Sequence, residues 1–165
     1  MKKNTIHISD LIFYKKSYDE IIKFLEENKI KNLELFIEPL EKEYTQKMMK
    51  VLENYSFDSI SFHGPFRKCN LAVMTAKEWD DTLYSFEESF RLGQKYNPRY
   101  FVLHTNEWIP GNVINDQLKK KIAEKVAQVK KIADNYGAVL AVENVGIRKT
   151  MVFDQKEFES LILDN

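Results

Sequence analysis

Ser59-Ile-Ser-Phe-His63, Tyr100-Phe-Val-Leu-His104 and Val139-Leu-Ala-Val-Glu143 are three short apolar runs, each ending on a residue that can ligate a metal. They follow one another at intervals of about forty residues, room for one crossover helix each time, as in consecutive βα units. In a parallel βα sheet or barrel the carboxyl ends of the strands share one rim, where ligands and catalysts sit. His63, His104 and Glu143 are therefore expected to converge.

Outward from these runs, short apolar strands alternate with amphipathic helices. A first strand is expected over residues 5–13. Ser17-Tyr-Asp-Glu20 then opens a helix with a capping box, in which serine and glutamate satisfy free backbone donors. Ile21, Ile22, Leu25 and Ile30 form its apolar side. A strand over 32–37 is stopped by Pro39, and a helix over about 43–54 presents Tyr44, Met48, Val51 and Tyr55. The third strand, 57–63, ends at Gly64-Pro65. Thr75-Ala-Lys-Glu78 is a second capping box, and the Trp79, Leu83, Phe86 and Phe90 that follow it read as core at helical spacing. A strand over 99–105 leads into a long loop, 106–115. The fourth helix carries Leu118, Ile122, Val126, Val129 and Ala133 and stops at Gly137. Its lysines, Lys119 to Lys121, Lys130 and Lys131, read as a solvated outer face. A fifth strand spans 138–145, and Asp154-Gln-Lys-Glu157 is a third box before the last helix.

Five βα units indicate a parallel α/β sheet. The first strand is followed by Tyr14-Lys-Lys-Ser17, with no glycine-rich phosphate loop, which disfavours nucleotide folds and favours a (β/α) barrel. An eight-unit barrel takes roughly 250 residues, or about 31 per unit. At 165 residues the chain reads as one domain, 1–165, a TIM-barrel type truncated after about five units. Lysine and arginine total 25 against 25 acidic residues, which disfavours a nucleic-acid grip needing a basic face. Cys69 is the single cysteine, so no intrachain disulfide forms, and it reads as an unreactive thiol. No stretch resembles a signal peptide or is long enough to span a bilayer, so a cytoplasmic location is expected.

The chemistry rests on few residues. Either histidine alone has an ordinary alternative, a hydrogen-bonded structural role. Glu143, ending an apolar strand, needs a cation or a hydrogen-bond network, because burying a lone carboxylate is costly. Two histidines with one carboxylate form the ligand set of many catalytic zinc sites; a satisfied polar cluster is the alternative. Glu34 on the second strand reads as a substrate contact or a salt bridge. Trp108 reads as an aromatic wall over a bound ring or as loop packing. Arg67 and Lys68, and Arg148 and Lys149, stand on the same rim and are candidates for holding a phosphate by charge-assisted bonds, or for plain solvation. Asn144 is placed to orient Glu143. His7 reads as structural.

His63-Gly-Pro-Phe66 with Asn70-Leu-Ala72, Val102-Leu-His104-Thr105 and Ala141-Val-Glu143-Asn144 resemble, in order along the chain, the xylose-isomerase-like barrel superfamily. It contains sugar and sugar-phosphate isomerases and epimerases, and endonuclease IV. The resemblance implies that His63, His104 and Glu143 share a divalent metal (Zn, Mn or Mg). It also implies that Glu143 moves a proton beside a metal-polarised carbonyl of a small polar or phosphorylated sugar. The family's further ligands lie on strands six to eight, which this sequence does not match. Three functions follow as expectations: a metal-dependent isomerase or epimerase; a zinc phosphodiesterase acting on abasic DNA; and a non-catalytic truncated barrel. In every case the open edges of such a sheet call for self-association or a partner chain completing the barrel.

Overall fold

In the computed structural model, which describes residues 6–66, 69–72, 75–109, 111, 113–144 and 151–163, five parallel strands stand side by side in sequence order. They are β1 (Ile8–Ser9), β2 (Asn32–Phe36), β3 (Ser59–His63), β4 (Phe101–His104) and β5 (Leu140–Glu143). Between them run α1 (Tyr18–Glu27), α2 (Lys42–Asn54), α3 (Ala76–Gln94) and α4 (Asp116–Asn135), and α5 (Gln155–Leu163) follows the last strand. This is the expected α/β order.

The three capping boxes all form. Ser17 Oγ accepts from Glu20 N while Ser17 N donates to the Glu20 carboxylate, and Thr75 with Glu78 repeats the exchange. Asp154 and Glu157 do the same at 2.9 Å in each direction. One layer of core lies between sheet and helices. Leu33, Leu35, Phe62, Phe101 and Leu103 point into it and meet Ile21, Leu25, Met48, Val51, Phe86, Phe90, Ile122, Val126 and Val129. Phe86 and Phe90 are buried and Trp79 and Leu83 pack against them, as core residues at that spacing should.

Because side chains alternate across a strand, the intervening residues of the same strands face the other way. Glu34, Phe36, Ser59, Ser61, His63, Val102, His104, Ala141 and Glu143 line the inner face, and most of them are polar. Strand register then sets their heights: Phe36 lies beside His63, His63 beside Val102, Val102 beside Ala141, and His104 beside Glu143. The ladder continues one residue past β3, where Gly64 N donates to Val102 O at 2.9 Å. A side chain at Gly64 would stand 2.9 Å from that carbonyl and 2.7 Å from the Phe86 ring, so glycine is what lets β3, β4 and α3 close together behind His63.

Several expectations need correction. Every strand is shorter than the sequence pattern suggests. The strand expected over residues 5–13 stops at Ser9: a 3-10 turn occupies Asp10–Phe13, capped by Ser9 Oγ accepting from Leu11 N. Ile30 and Tyr55 lie beyond the helices to which they were assigned, although both pack against the core. The lysines of α4 are not uniformly solvated, since Lys119 Nζ donates to Glu157 at 2.6 Å. Cys69 is buried with its thiol pushed up to about 12, chiefly by burial, which agrees with an unreactive role. Among the described residues no helix is long and apolar enough to cross a membrane.

Candidate metal centre

The carboxyl ends of β3, β4 and β5 bring His63, His104 and Glu143 together as expected. One ligating atom from each lies within 4.8 Å of the others. His63 Nε2 and His104 Nε2 are 3.0 Å apart, and His104 Nε2 is 3.2 Å from Glu143 Oε2. Tetrahedral ligands about 2.05 Å from zinc sit roughly 3.3 Å from one another, so these separations approach those of ligands sharing one ion.

The far side of each imidazole decides what its Nε2 presents. His63 Nδ1 lies 2.8 Å from the Gly64 carbonyl, an acceptor only, so Nδ1 carries the proton and Nε2 keeps its lone pair. His104 Nδ1 lies 3.0 Å from Glu107 Oε1, an acceptor for the Nδ1 proton, so with a cation at Nε2 the ring carries its proton on Nδ1 as His63 does. Two lone pairs and a carboxylate oxygen then meet in one small space. That donor set is satisfied by a cation between them, either a metal ion or a proton on His104.

The titration behaviour agrees. Burial holds His63 down to about 4, with His104 adding to the shift, so the His63 ring is neutral through the physiological range. Burial also opposes charge on His104, but Glu107 and Glu143 together outweigh it and raise its pKa. His63 is further fixed by the Phe36 ring stacked on it at 4.1 Å, with Phe66 edge-on at 5.6 Å. His104 meets it edge-on, ring centroids 4.6 Å apart.

The other expected site residues distribute unevenly. Glu34 is half-buried on the inner face; burial first, then Glu143, raises its pKa. Trp108, 46% exposed, projects from the loop after β4, while its backbone carbonyl accepts from Asn70 Nδ2 at 2.8 Å. Asn144 does not turn to Glu143: its amide donates to Phe153 O at 2.6 Å and accepts from Phe153 N at 3.1 Å, tying β5 to the segment before α5. Arg67 and Arg148, with Lys68 and Lys149, lie outside the described residues. His7 is structural, its ring between Leu33 O, Ser59 Oγ and Ser61 Oγ at 3.0–3.2 Å. Two contributors escaped the sequence reading. Glu107 was unmarked except by its three-residue spacing from His104, which places it within reach when the strand ends in a tight turn. Asn70 stood in a quoted motif without a role, yet it holds the Glu107 and Trp108 backbone.

No protein-family model and no curated protein matches the chain. Solved structures do. A D-tagatose 3-epimerase-like protein superimposes over 96% of this chain at 16% identity and TM-score 0.71. The 3-keto-D-glucoside 4-epimerase YcjR from E. coli does so over 98% at 13% identity and TM-score 0.69. D-psicose 3-epimerase from Clostridium cellulolyticum H10, solved with D-tagatose, does so over 91% at 12% identity and TM-score 0.66. The chain spans 60%, 64% and 55% of those three proteins respectively. At such identities the likeness is one of architecture: the chain has the fold of five consecutive βα units of a (β/α) barrel.

Proposed function

We propose that this chain carries part of the active centre of a metal-dependent sugar or sugar-phosphate isomerase or epimerase. The convergence of His63, His104 and Glu143 on one rim carries the reading. The neighbours' names as epimerases of tagatose, psicose and a keto-glucoside support the substrate class.

His63 Nε2, His104 Nε2 and a Glu143 oxygen would hold the ion. When bound, a divalent cation supplies Lewis-acid polarisation of a substrate carbonyl. The chain's own residues supply the rest. Glu143 is half exposed, so its carboxylate can reach a substrate carbon beside the carbonyl and take or return its proton. His63 stays neutral and serves as a donor of lone-pair electrons rather than of protons. Glu34, whose proton is held more tightly than that of an ordinary glutamate, faces the same space and can hydrogen-bond a sugar hydroxyl. Trp108 offers an apolar face beside the rim. Arg67 and Arg148 remain the candidates for a phosphate group. Solvent-deuterium incorporation into D-tagatose, with Mn2+ or Zn2+ present, tests the reading: exchange is expected in the parent assembly that supplies the remaining strands and not in the same assembly of Glu143→Gln. Undiminished exchange in that variant would remove Glu143 from the mechanism.

β1 pairs with β2 alone and β5 with β4 alone among the described residues. We infer that these edges take up further strands, from a partner chain or a second copy. Sedimentation at micromolar concentration is expected to show an assembly; a stable folded monomer would refute this.

A further inference from the structure

Glu107 lies three residues past β4 at the start of the loop leading to α4, its side chain 6% exposed. A carboxylate so placed is costly unless its oxygens find partners. Only one oxygen does. Oε1 meets His104 Nδ1 at 3.0 Å, whereas Oε2 is buried and accepts no hydrogen bond among the described residues. The backbone at this point has its own support, for Asn70 Oδ1 accepts from Glu107 N at 3.1 Å and Asn70 Nδ2 donates to Trp108 O. The loop therefore keeps its path without the carboxylate. What the carboxylate alone provides is its contact with His104.

We propose that Glu107 is a positioning residue: through the Nδ1–H of His104 it fixes the tautomer whose Nε2 faces His63 and Glu143, and it strengthens that nitrogen as a donor to a divalent cation. The inference deepens the metal-site reading above and rests on it. The two histidines are supported unequally. His63 leans on a neutral carbonyl dipole at Gly64, His104 on a full negative charge. A carboxylate behind an imidazole pulls the Nδ1 proton towards itself and enriches the opposite nitrogen, the arrangement of carboxylate–histidine–metal triads. The same charge needs positive charge across the ring, and a cation at Nε2 provides it. An orphaned Oε2 at a site whose backbone is otherwise secured is then the cost of keeping that charge buried beside the ligand.

The test is a Zn2+ titration of the protein and of Glu107→Gln, in competition with a chromophoric chelator, alongside 15N imidazole spectra of the metal-free protein in alkaline buffer. Glutamine keeps an acceptor but removes the charge, so Zn2+ affinity should fall about 10–100-fold with the urea midpoint little changed. In the parent protein His104 should show the Nδ1–H tautomer. In Glu107→Leu, which removes charge and acceptor together, it should become a mixture. If the parent binds Zn2+ and Glu107→Gln binds it within twofold, the positioning role is wrong while the metal site stands. An Nε2–H tautomer at His104 in the parent would overturn the role without reference to any metal. If the parent binds no Zn2+, the metal reading falls and the inference with it.

Discussion

Asp10 offers the most direct check on the energetics of the inner rim. It follows β1 and is 0% exposed. Its Oδ1 accepts from Phe36 N at 3.1 Å and its Oδ2 from Tyr44 Oη at 2.7 Å. Burial outweighs both bonds, and Glu34 adds to it, so the carboxyl rises from 3.8 to about 7. A folded state that holds a proton more tightly than the unfolded chain loses stability as pH climbs between the two values. The contribution is therefore complete below pH 4, declines through pH 4 to 7 and is constant above 7. At ~1.4 kcal/mol per pH unit the full span is on the order of 4 kcal/mol. Asp10→Asn removes the titration while keeping the shape: the amide oxygen still accepts from Phe36 N, and Tyr44 Oη can donate to the Asp10 carbonyl, already 3.0 Å away. Urea unfolding of parent and variant at half-unit steps from pH 4 to 8 isolates the effect, with its coupling to Glu34, as a difference of differences, in which groups that do not interact with Asp10 cancel. The variant should gain on the parent steadily up to neutrality. A parent-minus-variant difference that stays flat across that range would show that Asp10 is not buried as a proton-holding acid.

Three further substitutions probe packing and capping. Gly93→Ala places a methyl carbon 2.6 Å from both Phe62 and Phe101 in α3; overpacking of about 1–3 kcal/mol exceeds the helix-propensity gain of up to ~1 kcal/mol, so the urea midpoint should fall, and a stabilised variant would contradict the packing. Asn70→Ala leaves the Glu107 and Ala72 amides without their shared acceptor; a loss of about 2–3 kcal/mol should come with faster hydrogen exchange at those two amides, and unchanged exchange would deny Asn70 its role. Thr75→Ala removes one half of the α3 capping box, and chemical denaturation should register about 1 kcal/mol.

Features fixed by neighbours in sequence were legible, and those fixed by distant partners were not. Each capping box is a contact between residues three apart, so Ser17 with Glu20, Thr75 with Glu78 and Asp154 with Glu157 could be read directly. Strand lengths could not. Apolar residues mark burial, whereas a ladder requires a partner strand at the same height. Phe13 is completely buried yet sits in a 3-10 turn, because Asp10 turns its carboxylate to Phe36 N and ends β1 there. The candidate ligands stood out because each terminates an apolar run, where an ionisable side chain has no packing reason to be. The partner of Asn144 was not legible for the opposite cause: its amide is engaged by Phe153, nine residues on.

Charge at the rim is distributed quite differently from charge over the chain as a whole. Lysine and arginine balance aspartate and glutamate across the 165 residues, but His104 alone has two carboxylates against its ring, Glu107 at 3.0 Å and Glu143 at 3.2 Å. Glu34 faces the same space, and burial first, then repulsion from Glu143, raises its pKa. Burial keeps His63 neutral, so it cannot offset them. Among the described residues the place for compensating charge is Nε2 of His104, where a proton and a divalent cation would compete for one lone pair. Uptake of a metal there would displace that proton whenever the ring is charged. The raised basicity of His104 and the ligand strength proposed for it would thus be one property of the two carboxylates beside it, and weakening either carboxylate should diminish both together.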